Sequence, residues 1–158
     1  MEPVGHHYVA EASGCDPEIL GRVDKVEQIL VRAAAVANVT IWSISFHRFA
    51  PNGVSGVVVI SESHLSVHTW PELGYAALDI FTCGDGAKPE AAVEYALKEF
   101  GAKTMHITEV TRGLQEGDRL FYHSIVTWEE TLPTRDGQRR SRPSKRPKHP
   151  VRRAIRAR

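Results

Sequence analysis

The sequence predicts an α+β protein: a two-layer α/β sandwich whose antiparallel sheet carries two main helices on one face. Three observations predict it. Seven short runs are rich in β-branched and aromatic residues and are separated by turn signals such as Pro51-Asn52-Gly53 and Gly84-Asp85-Gly86. Only two stretches show helical spacing, and strands do not alternate strictly with helices as a doubly wound parallel sheet requires.

Taken in order, the first strand is expected at 4–11. Asp16-Pro17-Glu18 then reads as a helix start, with a side-chain cap, proline in the first turn and an acid at the positive end of the dipole. Ile19, Val23, Val26, Leu30, Ala33 and Ala37 follow on one face of a helix that ends near Asn38. Strands are expected at 40–49, 56–62, 65–69 and 76–82. A second helix starts at Lys88-Pro89-Glu90, turns Val93, Leu97 and Phe100 inward and stops at Gly101. Strands at 104–110 and 119–128 complete the set. With both helices on one face, the other sheet face needs a cover, and a second copy packing sheet to sheet is the expected one.

The formal net charge of +1 hides an asymmetry. Of 20 Lys+Arg and 19 Asp+Glu, eleven basic residues and one acid lie in 135–158, leaving nine bases against eighteen acids in 1–134. Residues 1–134 are expected to be one domain and 135–158 a basic, disordered tail, self-repelling and without aromatics, suited to weak binding of polyanions. No apolar run reaches the roughly 18 residues of a membrane span, and the N-terminus lacks a signal-peptide layout, so a cytoplasmic protein without membrane association is expected. Two cysteines, Cys15 and Cys83, are too few for a disulfide framework.

Residues 53–85 concentrate hydroxyls, histidines, acids and a thiol. A serine hydrolase would need Gly-x-Ser-x-Gly, and Gly53-Val54-Ser55-Gly56-Val57 misses it by position. A metal site on His64 and His68 fails because residues four apart on a strand lie about 13 Å from each other, so no metal is expected. Self-cleavage of Glu62-Ser63 is a third reading: Ser63 Oγ attacks the Glu62 carbonyl, and β-elimination and hydrolysis convert the serine to a pyruvoyl group. Singly, Ser55 also suits a turn, Trp70 a core position, Cys83 an inert buried thiol and His64 a structural or surface role.

The run Val54-Ser-Gly-Val-Val-Val-Ile-Ser-Glu-Ser-His-Leu-Ser-Val-His-Thr-Trp-Pro-Glu72 with Gly74-Tyr-Ala-Ala77, Asp79 and Phe81-Thr-Cys-Gly-Asp85 resembles the signature of the prokaryotic pyruvoyl-dependent S-adenosylmethionine decarboxylases. The likeness extends to Gly5-His-His-Tyr-Val-Ala-Glu11, Cys15-Asp16, Thr40 and Phe46-His-Arg-Phe49, with Ser66 where that pattern has threonine.

The resemblance implies cleavage at Glu62-Ser63 into a β chain 1–62 and an α chain 63–158, with Ser63 becoming the pyruvoyl that forms a Schiff base with substrate. It implies processing roles for His68 as proton acceptor and Ser55 as oxyanion support, and Cys83 as proton donor in decarboxylation. Phe49, Trp70 and Glu72 would bind S-adenosylmethionine, with Phe49 able to reach the site from a second protomer. The product would be the aminopropyl donor of polyamine (spermidine) synthesis. The pyruvoyl replaces pyridoxal phosphate, and an acidic body suits a sulfonium ligand. The alternatives are a same-family decarboxylase of arginine or ornithine, and an inactive relative that binds nucleic acid through its tail.

Overall fold

The computed structural model describes residues 3–118 and 120–132. Its strands are β1 (Gly5–Ser13), β2 (Ile41–Phe49), β3 (Gly53–Ile60), β4 (Ser63–Trp70), β5 (Tyr75–Cys83), β6 (Thr104–Glu116) and β7 (Leu120–Thr131). They form one sheet in the order β2-β3-β4-β5-β1-β6-β7, with every neighbouring pair antiparallel. The helices are α1 (Pro17–Leu20), α2 (Val23–Val36) and α3 (Pro89–Glu99). The predicted α+β class is the observed one. The tail expected at 135–158 lies outside the described residues, as does Arg119 at the start of the last expected strand.

Period-2 alternation sorts the strands into two faces. Tyr8, Ala10, Ala12, Val58, Ile60, Leu65, Val67, Leu78 and Ile80 are buried beneath Val26, Leu30 and Ala33 of α2 and Val93 and Leu97 of α3. The residues between them, including His7, Ser55, His64, His68 and Asp79, point to the opposite face, and none of these is buried. Among the described residues no helix lies on that face.

Several boundaries differ from the sequence expectation, and three of them matter for the site or the core. The first helix is broken: Gly21 ends α1 by donating to the Pro17 carbonyl, and Arg22 is extended (φ −110°, ψ 113°) before α2 begins. Spacing alone runs through the break because Ile19 and Val23 pack on the same core. The break leaves the Leu20 carbonyl free to accept the buried Thr69 hydroxyl at 2.8 Å. Second, Ile60 pairs directly with Ser63, so the turn falls at Ser61-Glu62, inside the strand expected at 56–62, and not at 63–64 between the two expected strands. Third, β6 continues past Val110 through an irregularity between Thr111 and Leu114.

The helix signals hold. Asp16 Oδ1 accepts from the Glu18 N–H at 2.9 Å, Pro89 opens α3, and Gly101 takes φ +70° after it. Among the described residues no helix is long and apolar enough to cross a membrane.

Candidate active site

The β3–β4 turn is tied down at three places. Ser61 N–H donates to the Thr40 carbonyl at 2.9 Å, Thr40 N–H donates to Glu62 Oε2 at 3.1 Å, and the Glu62 carbonyl accepts from Cys83 N–H at 2.9 Å. Cys83 Sγ donates to the same carbonyl at 3.1 Å. Desolvation pushes the Glu62 carboxyl up, but hydrogen bonds from the Ser61 side chain and Thr40 N–H outweigh it and hold the group below the usual carboxylate range. Ser63, the first residue of β4 after the turn, takes φ +143°, a backbone region that L side chains rarely adopt and that costs on the order of 1–3 kcal/mol.

Glu62, Ser63 and Cys83 are therefore one cluster: a strained serine follows a carbonyl that already has two donors. A polarised carbonyl with fixed donors is prepared to carry negative charge on its oxygen.

A second group adjoins it. His64 Nδ1 lies 3.1 Å from Ser63 Oγ, and His64 Nε2 lies 3.2 Å from Asp79 Oδ1. The same Asp79 oxygen is 2.8 Å from His7 Nε2 on β1. The Phe81 ring lies against both imidazoles, and Arg112 sits over it with Cζ 4.4 Å from the ring centroid.

Ser55 and His68 form a separate pair across β3 and β4, with Ser55 Oγ 2.8 Å from His68 Nδ1. The His68 ring borders Trp70, which stacks on Tyr75 at 5.0 Å and meets Phe49 edge-on at 6.0 Å. Tyr75 donates to Glu11, and that hydrogen bond, aided by burial, pushes its hydroxyl up to about 12. Phe49 rests on Gly53, where a Cβ would collide with its ring and with the Thr69 carbonyl. Glu72 stands on the 3₁₀ turn Pro71–Leu73 and lines a surface depression with Arg22 and Arg48.

The sequence-derived residues thus fall into two places. Glu62, Ser63 and Cys83 meet at one end of β4 and β5; Ser55, His68, Phe49 and Trp70 gather at the other, with Glu72 just beyond. His68 follows Ser63 by five residues along β4, or about 16 Å at the rise of a strand. Sequence reading gave no site role to His7 or Asp79 and took His64 as structural or surface. The signal that would have found them is register, since His7 and His64 both pair with Phe81, two residues from Asp79. Among the described residues no group of three or more His, Cys, Asp or Glu is arranged to hold a metal ion.

Fold and site define a class: an α+β sandwich with its reactive side chains spread over an uncovered sheet face, around a hairpin turn that carries a strained serine. The chain belongs to the S-adenosylmethionine decarboxylase family, whose sequence model matches residues 6–113. Among curated relatives, the S-adenosylmethionine decarboxylase proenzyme of Pyrococcus horikoshii is 51% identical over 138 residues, spanning 87% of this chain and 99% of the relative. Those of Thermococcus gammatolerans (56% over 132 residues, 84% and 92%) and Carboxydothermus hydrogenoformans (55% over 114 residues, 72% and 90%) carry the same name. The crystal structure of the adenosylmethionine decarboxylase from Aquifex aeolicus superposes with a TM-score of 0.70 at 34% identity, covering 76% of this chain and 99% of that one.

Proposed function

We propose that this chain is the proenzyme of a decarboxylase that acts on S-adenosylmethionine, and that it makes its own carbonyl group by cleaving Glu62-Ser63. Beyond the family membership, one observation carries the reading: the Glu62 carbonyl accepts both Cys83 N–H and Cys83 Sγ, beside a serine strained at φ +143°. Those are the demands of an N-to-O acyl shift. Ser63 Oγ must attack the Glu62 carbonyl carbon, the oxygen must carry the resulting charge, and strain at Ser63 favours leaving the ground state. β-Elimination then takes the Ser63 Cα proton and releases the Glu62 carboxylate as the end of a β chain of 1–62; water hydrolyses the dehydroalanine left at 63, ammonia departs, and the α chain opens with a pyruvoyl group. That group supplies a ketone that takes up the substrate amine and withdraws the electron pair left by departing CO₂.

The rest of the chemistry falls to this chain's side chains. Cys83, half-buried beside Ser63, is the proposed proton donor to the substrate α-carbon; its backbone N–H, rather than Ser55, is the nearer oxyanion donor during processing. The Phe49–Trp70 pair offers flat surfaces to an adenine ring, and Glu72 a carboxylate to the ribose hydroxyls.

Because these residues and the Ser55–His68 pair lie a strand length from Ser63, we assign them to the Ser63 of a partner in a sheet-to-sheet homodimer. The partner subunit's His68 would then take the proton during elimination, with Ser55 orienting its ring. Nucleoside-sized aromatic surfaces favour S-adenosylmethionine over arginine or ornithine. The product would serve polyamine synthesis, and two free thiols suit a reducing cytoplasm.

Intact mass under denaturing conditions, with ¹⁴CO₂ release from labelled S-adenosylmethionine, tests the reading. Two fragments split at 62/63, the larger blocked to Edman sequencing, are expected, together with release from that substrate. A single 17.6 kDa species, or release from arginine or ornithine alone, overturns it. Removal of residues 135–158 should leave both results unchanged.

A further inference from the structure

We propose that His64 is the base that activates Ser63 for self-cleavage, and that Asp79 on β5, shared with His7 on β1, fixes that base in the working tautomer. The proposal rests on the self-cleavage reading and assigns a proton acceptor to its first step.

The geometry makes the assignment. His64 Nδ1 is 3.1 Å from Ser63 Oγ, and Nε2 is 3.2 Å from Asp79 Oδ1. A carboxylate only accepts hydrogen bonds, so Nε2 carries the proton and Nδ1 presents a lone pair to the serine hydroxyl. His7 Nε2 donates to the same Oδ1 at 2.8 Å and holds the carboxylate from the other side. The logic is that of nucleophile, base and orienting acid in serine hydrolases, with the two ring nitrogens exchanged. Neighbouring strand residues ordinarily face opposite ways. The positive φ of Ser63 breaks that alternation and lets its hydroxyl meet the next ring. His68 cannot serve here within one protomer, being about 16 Å further along β4.

The step balances without a co-reactant. The Ser63 Oγ proton passes to His64 Nδ1 as Oγ bonds to the Glu62 carbonyl carbon, and the oxygen takes the charge under Cys83 N–H. As the C–N bond breaks, His64 returns the proton to the Ser63 nitrogen. An ester and a free amine result, and His64 is neutral again. The partner subunit's His68 is left for the separate task of taking the Cα proton in elimination. The charged and titratable groups facing His64 are Asp79 from β5, His7 from β1 and, across the Phe81 ring, Arg112 from β6; β3 opposes it with Val59.

The test uses the full chain in cell-free translation, quenched into denaturant at intervals and read by intact mass. His64→Ala and His64→Asn should both slow the appearance of the two fragments by about 100-fold or more, the usual worth of a positioned base. Asparagine keeps an acceptor toward Ser63 but takes no proton, so it separates base from spacer. Free imidazole should restore part of the rate in His64→Ala and none in Ser63→Ala. Asp79→Asn should slow processing by about 10-fold and shift its pH profile. The proposal is overturned if His64→Asn matures within about threefold of the wild type. Wild-type chain that never splits overturns the self-cleavage reading instead. Near-UV circular dichroism against Ser63→Ala confirms folding, and if His64→Ala does not fold, His64→Asn and Asp79→Asn decide.

Discussion

Placing Ser63 and His68 at opposite ends of β4 predicts that each is completed by the other copy. The perturbation is a pair of single variants, Ser63→Ala and His68→Ala, expressed separately and together. Five residues of strand separate the two positions, about 16 Å, which no rotamer of histidine spans. In the proposed two-fold dimer each working site would therefore take Ser63 from one chain and His68 from its partner. Alone, Ser63→Ala cannot cleave, and His68→Ala should mature about 10²–10⁴-fold more slowly, the range for losing a general base. Expressed in equal amounts, the variants pair at random, half of the dimers are hybrids, and each hybrid has one intact site. About a quarter of all chains should then split, and every split chain should carry the His68→Ala change. Denaturing intact mass reads both the extent and the identity of the cleaved chain, and native mass confirms that hybrids form. Hybrids that never split would refute the cross-protomer site. So would cleavage of His68→Ala dimers at the wild-type rate.

Cys83→Ala keeps the N–H that holds the Glu62 carbonyl but removes the thiol. Maturation should persist within about 10-fold while ¹⁴CO₂ release falls by about 100-fold or more, read as two fragments without turnover. Thr69→Val strips a fully buried hydroxyl that donates to the Leu20 carbonyl at 2.8 Å and accepts from Val54 N–H at 2.9 Å. Two groups left unpaired should cost about 2–4 kcal/mol in urea unfolding, and a loss under about 1 kcal/mol would discount the Thr69 bridge. The Tyr75 hydroxyl is held protonated to about 12 by its bond to Glu11. The unfolded chain loses that proton near pH 10, so stability should fall between pH 10 and 12. In Glu11→Gln that slope should flatten, and absorbance at 295 nm should show the late-titrating tyrosine moved toward 10.

The class of fold was legible because period-2 and period-3.6 patterns report burial, and one sheet face and two helix stripes are buried here. Breaks that cost no apolar periodicity were not legible. Ile19 and Val23 keep the same stripe across Gly21-Arg22, and Val58 and Ile60 give no warning that the ladder turns at Ser61. The resemblance singled out residue types for the proposed site and the Glu62-Ser63 bond, which the fold places at a hairpin turn. The distribution of those residues was not legible. Ser55 and His68 are thirteen residues apart and touch; Ser63 and His68 are five apart and do not. Only antiparallel register, in which separation along the chain and in space are unrelated, decides which pairs meet. His64 read as structural or surface, and only the backbone conformation of Ser63 brings the two side chains within 3.1 Å.

The position of the turn is also compatible with the proposed self-cleavage, because a chain cut there would keep its fold. Ile60 and Ser63 are the last pair of the β3–β4 ladder, and every pair from Ser55–His68 to Ile60–Ser63 lies behind them. Scission at 62/63 would touch only the terminal Ile60–Ser63 pair, where Ser63 would lose its nitrogen, and would leave the five pairs from Ser55–His68 to Val59–His64 in place. β3 remains clamped between β2 and β4, and β4 between β3 and β5. Val58 and Leu65, which face each other across the cut hairpin, are fully buried under the helices. What the proposed cut would release is the constraint that holds Ser63 at φ +143°, on the order of 1–3 kcal/mol in favour of the reaction. The new α-chain terminus stays beside Cys83, which Ser63 approaches through its Thr82 pairing and the Glu62 carbonyl. Under the proposed chemistry the hairpin would serve twice: as the strained precursor of the carbonyl group, and as the mount that would hold that group against its proton donor.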